Sequence, residues 1–78
     1  MKYDLHKDAR KYLEKLPKNQ LGKILQAISK LPDGDVVPYK GHHPQLRLRV
    51  GSFRVIFEYR DDVVYVLEVG SRGGIYKK

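Results

Sequence analysis

Between Gln45 and Tyr59 polar and apolar residues alternate around a Gly51-Ser52 pair, and no other stretch of the sequence restricts the fold as tightly. A period of two is the pattern of a half-buried β-strand. Gln45 to Val50 forms one such strand and Phe53 to Tyr59 the return strand. Glycine in the first central position suits a two-residue type II′ turn, so Gly51-Ser52 closes a hairpin and sets its register. Val50 then faces Phe53, Leu48 faces Val55 and Leu46 faces Phe57, and these pairs make the core side. On the other side Arg49 lies across from Arg54, and Arg47 across from Ile56. Like charges directly opposite each other destabilise a sheet. A sequence that sets arginine against arginine therefore points to something anionic between them.

The rest of the chain supplies the cover for this hairpin. Lys2 to Leu5 reads as a short strand. Ala9, Tyr12, Leu13 and Leu16 recur at helical spacing, and Leu21, Ile24, Leu25, Ile28 and Leu31 form a second helical stripe. Pro17 either ends the first helix or opens the second at its first position. Gly22 costs the second helix about 1 kcal/mol relative to alanine. Pro32-Asp33-Gly34-Asp35 is a turn cluster, and Val36 to Pro44 reads as irregular. Val63 to Val69 is a β-branched strand, expected to put Tyr65, Leu67 and Val69 on the core side and Val64, Val66 and Glu68 on the arginine side. That phase needs a three-residue loop at Arg60-Asp61-Asp62, and it places Glu68 where it can orient Arg54. Gly70 to Gly74 reads as a loop that presents Arg72, with Tyr76 close behind. The expected architecture is α+β in two layers, β-α-α-β-β-β. A helix hairpin packs on a mainly antiparallel four-stranded sheet, with residues 1–78 as a single domain.

Composition narrows the function classes. The 78 residues carry a formal charge of +7. Lysine dominates the first half, where Arg10 is the one arginine, whereas the second half holds Arg47, Arg49, Arg54, Arg60 and Arg72. Arginine presents a rigid fork that matches phosphate, and lysine is a solvated point charge. The arginines predict polyanion binding; the helical lysines read as a solubilising surface. There is no cysteine, and His6, His42 and His43 do not make a metal-site pattern, so neither metal nor cofactor is implied. No apolar run approaches the roughly 20 residues of a membrane span. With no signal-like start, a cytoplasmic protein is expected.

Two C-terminal motifs carry a resemblance. Leu46-Arg47-Leu48-Arg49-Val50-Gly51-Ser52-Phe53-Arg54-Val55-Ile56-Phe57-Glu58 resembles the hairpin of RelE-like toxins of the RelE/ParE superfamily. Val69-Gly70-Ser71-Arg72-Gly73-Gly74-Ile75-Tyr76-Lys77 is similar to their C-terminal motif. Ala9, Tyr12-Leu13 and Leu16-Pro17 are similar to their first helix, and Lys40-Gly41 to a loop of theirs. The resemblance implies the toxin of a type II toxin–antitoxin system, held in check by a cognate antitoxin. Its implied activity is that of an mRNA interferase, a metal-independent endoribonuclease that cuts messenger in the ribosomal A site, inhibits translation and arrests growth. The ribose 2′-hydroxyl attacks the adjacent phosphate. By the same resemblance Arg54 stabilises that phosphate, and Arg72 does likewise or helps protonate the leaving group. Tyr76 stacks on a base or joins in proton transfer, while Arg47 and Arg49 hold the RNA backbone and Lys40, His42 and His43 are further RNA-binding residues. One departure concerns the general base. Arginine does not deprotonate in proteins, so Arg47 is a poor base, and Lys40, His42, His43 or Tyr76 must serve unless positioning and electrostatics suffice. The alternatives are a ParE-like inhibitor of DNA gyrase and a catalytically weak module that binds RNA or antitoxin.

Overall fold

The computed structural model describes residues 2–71. Strand β1 (Lys2–Leu5) leads into helices α1 (Lys7–Glu14) and α2 (Lys18–Ser29). Strands β2 (Val36–Pro38), β3 (Leu46–Val50), β4 (Phe53–Arg60) and β5 (Val63–Ser71) follow. The sheet order is β1-β5-β4-β3-β2, with β1 parallel to β5 and the other pairings antiparallel. The α+β architecture and the helix hairpin agree with the sequence reading. The strand count does not: the sheet has five strands rather than four, because Val36–Pro38 is a strand and not irregular chain. Three residues ending in proline leave almost no periodic signal. An edge strand tolerates that proline because one side of its backbone has no ladder to feed.

Each helix ends for a local reason. The Nδ1 of His6 accepts the Asp8 backbone N–H at 3.3 Å and caps α1, while the His6 N–H donates to the Val66 carbonyl at 2.8 Å. The start of α1 is thereby tied to β5. Pro17 sits just outside α2 as its N-cap residue, with extended backbone, and its carbonyl accepts from Gln20 and Leu21. The apolar stripes fall where their spacing predicts: Ala9, Leu13, Ile24, Ile28 and Leu31 are buried, with Tyr12, Leu16, Leu21 and Leu25 packed around them. Against them the sheet presents Leu48, Val55, Phe57, Val64, Val66 and Val69.

The β3–β4 register follows the turn: Val50 pairs with Phe53, Leu48 with Val55 and Leu46 with Phe57. Gly51 has φ of 60°, the left-handed value that the first central residue of this turn requires. The phase of β5 differs from the expectation. Asp61 and Asp62 both take positive φ, 48° and 68°, and form a tight two-residue turn rather than part of a three-residue loop. Aspartate tolerates this region better than most residues. The turn pairs Arg60 with Val63 and Phe57 with Val66, so Val64 and Val66 enter the core, correcting their placement on the arginine side. A bulge between Ile56 and Phe57 then skips Leu67, so that Ile56 pairs with Glu68 and Val55 with Val69. Val69 and Glu68 thus reach their expected sides, whereas Tyr65 and Leu67 are not core residues. The strand also continues through Gly70 to Ser71, which had read as loop.

Gly22 lies in the exposed middle of α2, and a Cβ built there meets nothing within 4 Å. Replacing it with alanine removes backbone entropy without a clash. Gly22→Ala is expected to stabilise the chain by about 1 kcal/mol, which raises the melting temperature by roughly 4–8 °C for a domain of this size. Thermal unfolding followed by circular dichroism measures it, and an unchanged or lower midpoint contradicts this account of α2.

Candidate functional site

The sheet face turned away from the helices carries the arginines. Cross-strand pairing arranges its side chains in rows. Val37, Arg47, Ile56 and Glu68 form one row, and Arg49, Arg54 and Gly70 form the next. Asp35, just before β2, extends that second row, since its carbonyl accepts the Arg49 backbone N–H at 3.0 Å. The expected opposition of Arg49 and Arg54 is therefore present. So is an anion beside them, and it belongs to the chain itself. Arg49 Nε donates to Asp35 Oδ2 at 2.9 Å, and a second guanidinium nitrogen reaches Oδ1 at 3.3 Å. The two side chains are 57% and 52% exposed, so the pair contributes only about 0.2–1 kcal/mol, and salt screens it. Its larger effect is geometric: a two-point contact holds the Arg49 fork at the rim and reduces its repulsion of Arg54.

A groove of about 360 Å³ opens along this end of the hairpin, lined by Asp35, Arg47, Arg49, Ser52 and Arg54 among others. Arg47 differs from its neighbours. Its Nε is buried and has no hydrogen-bond partner among the described residues. A buried donor with no acceptor is costly, by about 1–3 kcal/mol, and an anionic ligand would remove that cost. Beside the groove lies a smaller cavity of about 130 Å³, lined by Tyr39, Arg54, Ile56, Glu68, Val69 and Gly70. Ile56, only 4% exposed, is an apolar residue on this polar face and gives the cavity a dry side. Arg54 lines both hollows.

Other expected residues are placed less centrally. Lys40, His42 and His43 are exposed on the loop between β2 and β3. His42 stacks on Tyr39 with ring centroids 4.2 Å apart, which puts it one ring away from the small cavity. Lys40 and His43 line neither hollow. Arg72 and Tyr76 lie outside the described residues. Asp35 and Tyr39 were not foreseen as site residues. Both flank the three-residue strand that the sequence conceals, and without that strand neither has a fixed place on the face. Farther along, Arg60 donates to Glu58 Oε2 at 2.6 Å and lies 4.8 Å above the Tyr65 ring. The hydrogen bond to Glu58 raises the Arg60 pKa further above its already high value.

The basic surface is thus divided. On the outer sheet face Lys2, Arg47, Arg49, Arg54 and Arg60 are interspersed with Asp4, Asp35, Glu58 and Glu68. The segment from Lys7 to Lys30 carries seven basic residues against two acidic ones. The sheet face therefore has little excess charge but several oriented guanidinium groups, a composition suited to gripping a few phosphate oxygens in defined places.

Residues 3–76 match the model of the ParE toxin of type II toxin–antitoxin systems, parDE. Among solved structures, the RelB–RelE antitoxin–toxin complex from Methanococcus jannaschii contains a similar chain. It has 25% identity and a TM-score of 0.77 over 92% of this chain and 93% of that one. The archaeal RelE–RelB complex from Pyrococcus horikoshii OT3 contains another, with 28% identity and a TM-score of 0.73 over 92% and 94%. No curated protein matches the sequence. With a family match along nearly its whole length and the same fold in both complexes, the chain belongs to the ParE toxin family of type II toxin–antitoxin systems, within the RelE/ParE superfamily.

Proposed function

We propose that this chain is the toxin of a toxin–antitoxin pair and cleaves messenger RNA on the ribosome. The observation that carries the reading is the convergence of Arg47, Arg49 and Arg54 on one groove, with the buried Arg47 Nε lacking an acceptor among the described residues. Cleavage by 2′-hydroxyl attack builds negative charge on the phosphorane oxygens. Fixed donors aimed at that charge stabilise the transition state more than the ground state. Arg54 is half-buried and lines both hollows, which supports it as the donor to the scissile phosphate. Arg47 and Arg49 hold neighbouring backbone phosphates. Arg72 and Tyr76 complete the site by resemblance, Arg72 at the phosphate or leaving group and Tyr76 on a base. The mechanism calls on no metal. A cognate antitoxin is the natural second partner, since both solved relatives were captured with RelB.

A second reading has support of its own. The matched family is that of ParE toxins, and the mixed charge of the sheet face also suits a protein surface, so inhibition of DNA gyrase is the alternative. Fold does not separate the two. Primer extension on a translated message does: codon-linked cuts support the nuclease, while intact message with DNA damage supports the gyrase target. Expression alone is expected to arrest growth, and co-expression with the antitoxin to relieve it. Normal growth with abundant folded protein contradicts both readings.

Binding to ribosomes is expected to weaken steeply with salt, by a logarithmic slope of roughly −0.7 to −0.9 for each phosphate neutralised. Titration between low and physiological ionic strength measures that slope, and a flat response rules out a phosphate-gripping face. Arg54→Gln is expected to lower cleavage by roughly 10²–10³-fold. The melting temperature should hold, because relief of repulsion from Arg49 offsets the lost Arg54 contacts. Parallel melting and cleavage assays test the pair of effects, and a clear drop in melting temperature with proportionate loss of activity makes Arg54 structural instead.

A further inference from the structure

The arginine groove accounts for charge stabilisation, but the carboxylate that lines it, Asp35, is already engaged by the Arg49 guanidinium and is a poor acceptor for the 2′-hydroxyl proton. Arginine stays protonated, so Arg47, Arg49 and Arg54 are unsuited to that step. The 2′-oxygen and the phosphorus it attacks belong to one ribose–phosphate unit. The base must therefore share a cavity with the donor that holds the phosphate. Arg54 fixes where that cavity is.

Four carboxylates stand on this sheet face among the described residues, and their surroundings separate them: Asp4, on β1 opposite Tyr65, lines neither hollow. Asp35 accepts two guanidinium N–H groups from Arg49, at 2.9 and 3.3 Å. Glu58 is held by Arg60 at 2.6 Å and lines neither hollow. Glu68 lines the small cavity together with Arg54 and is exposed on that face. Among the described residues it makes no ion pair. Its position comes from the bulge at Ile56/Phe57, which skips Leu67 and sets Glu68 opposite Ile56 in the row beside Arg54. Bulges recur next to active sites because they re-aim a side chain in this way. Gly70, opposite Arg54, adds no side chain to the adjoining position.

We infer that Glu68 is the general base of this site, placed by the β5 bulge to take the proton from the ribose 2′-hydroxyl while Arg54 holds the adjacent phosphate. The inference rests on the nuclease reading above. The Glu68 carboxylate accepts the 2′-hydroxyl proton as the O2′–P bond forms. The P–O5′ bond breaks, and the departing 5′-oxygen takes a proton from water. The hydroxide so formed is neutralised by the proton that Glu68 gives up. The products are a 2′,3′-cyclic phosphate and a free 5′-hydroxyl, with no change of oxidation state. Tyr39, whose ring stacks on His42, forms the cavity wall against which the ribose or its base packs.

Among the described residues the charged and titratable groups that share the cavity with Glu68 are Arg54 on β4 and Tyr39 from the β2–β3 loop. Arg47 on β3 lies beyond Ile56 in the same row. Strand β1 ends at Leu5 opposite Val66, with His6 next in the chain. Among the described residues no other strand or helix residue is paired level with Glu68, since β4 is its ladder neighbour there.

The experiment compares wild type, Glu68→Gln and Glu68→Asp as full-length chains. It uses ribosomes programmed with a defined message, single-turnover cleavage read by primer extension across a pH series, and ribosome binding measured alongside. Glu68→Gln is expected to slow cleavage by roughly 10²–10⁴-fold, the usual range for a lost general base, with binding unchanged. The fall in rate on the acid side expected for wild type should vanish in Glu68→Gln and persist in Glu68→Asp at a reduced maximum. A Glu68→Gln variant that cuts as fast as wild type, or keeps the same acid limb, overturns the role. So does a variant whose slow cutting is matched by lost binding, since that marks a binding residue. A wild type that leaves the message intact overturns the nuclease reading and this role with it.

Discussion

Strand β5 must feed the core with Val64, Val66 and Val69, and the interval of three between the last two cannot be met by a strand of period two. The bulge at Ile56/Phe57 resolves the conflict by taking Leu67 out of register. On one side of it Val64 and Val66 pack with Phe57; on the other Val69 packs with Val55. Much else depends on this one irregularity. β5 lies between β1 and β4, and the His6 backbone that opens α1 is bonded to it at Val66, so the helix layer and the sheet are both referenced to this strand. A slip of one residue past the bulge would exchange the two faces of the strand's last third. Val69 would leave the core and Glu68 would be driven into it.

The hairpin on the other side of β4 faces a different problem, that of placing Arg49 against Arg54. The chain answers with Asp35, held just before a short edge strand whose Val36 also packs against the core. Such an exposed pair adds little stability, but it converts a flexible guanidinium into an oriented one. A ligand phosphate would then meet a groove whose rim is already ordered, which lowers the entropy lost on binding. The excess positive charge of the chain sits elsewhere, on the Lys7–Lys30 segment, where it raises encounter with any polyanion without defining a contact.

How far the sequence discloses all this varies by element. The β3–β4 register was legible to the residue because one turn signal, Gly51-Ser52, and one clean alternation agree. The helices were legible from spacing, with Pro17 as their divider. β2 was hidden because three residues cannot display a period, so Asp35 and Tyr39 were missed with it. The phase of β5 was hidden for a different reason. Val63, Val64, Tyr65, Val66 and Leu67 are apolar at both parities, as befits a strand flanked on both edges, and alternation then has nothing to register. Asp61-Asp62 adopts a turn usually marked by glycine or asparagine, so its tightness carried no strong flag. Two errors of phase, at the turn and at the bulge, cancelled at Glu68 and Val69 and left the middle of the strand inverted.

That cancellation bears on how structure and function share this small chain. Arg47, Arg49 and Arg54 project from the hairpin without entering the main core, so their chemistry can vary while Leu48, Val55 and Phe57 keep the fold. Glu68 is different. Its place on the face is fixed by the same skipped residue that lets Val69 reach the core, so the position of the carboxylate and the packing of the strand are a single structural decision. A RelE-like backbone can therefore host more than one activity through its outer face, but only within the rows that the bulge and the turn permit. The arginines supply the readily changed part of the site and β5 the part tied to folding. On the proposed nuclease reading, substitutions can alter which phosphates the face grips far more easily than where the Glu68 carboxylate stands.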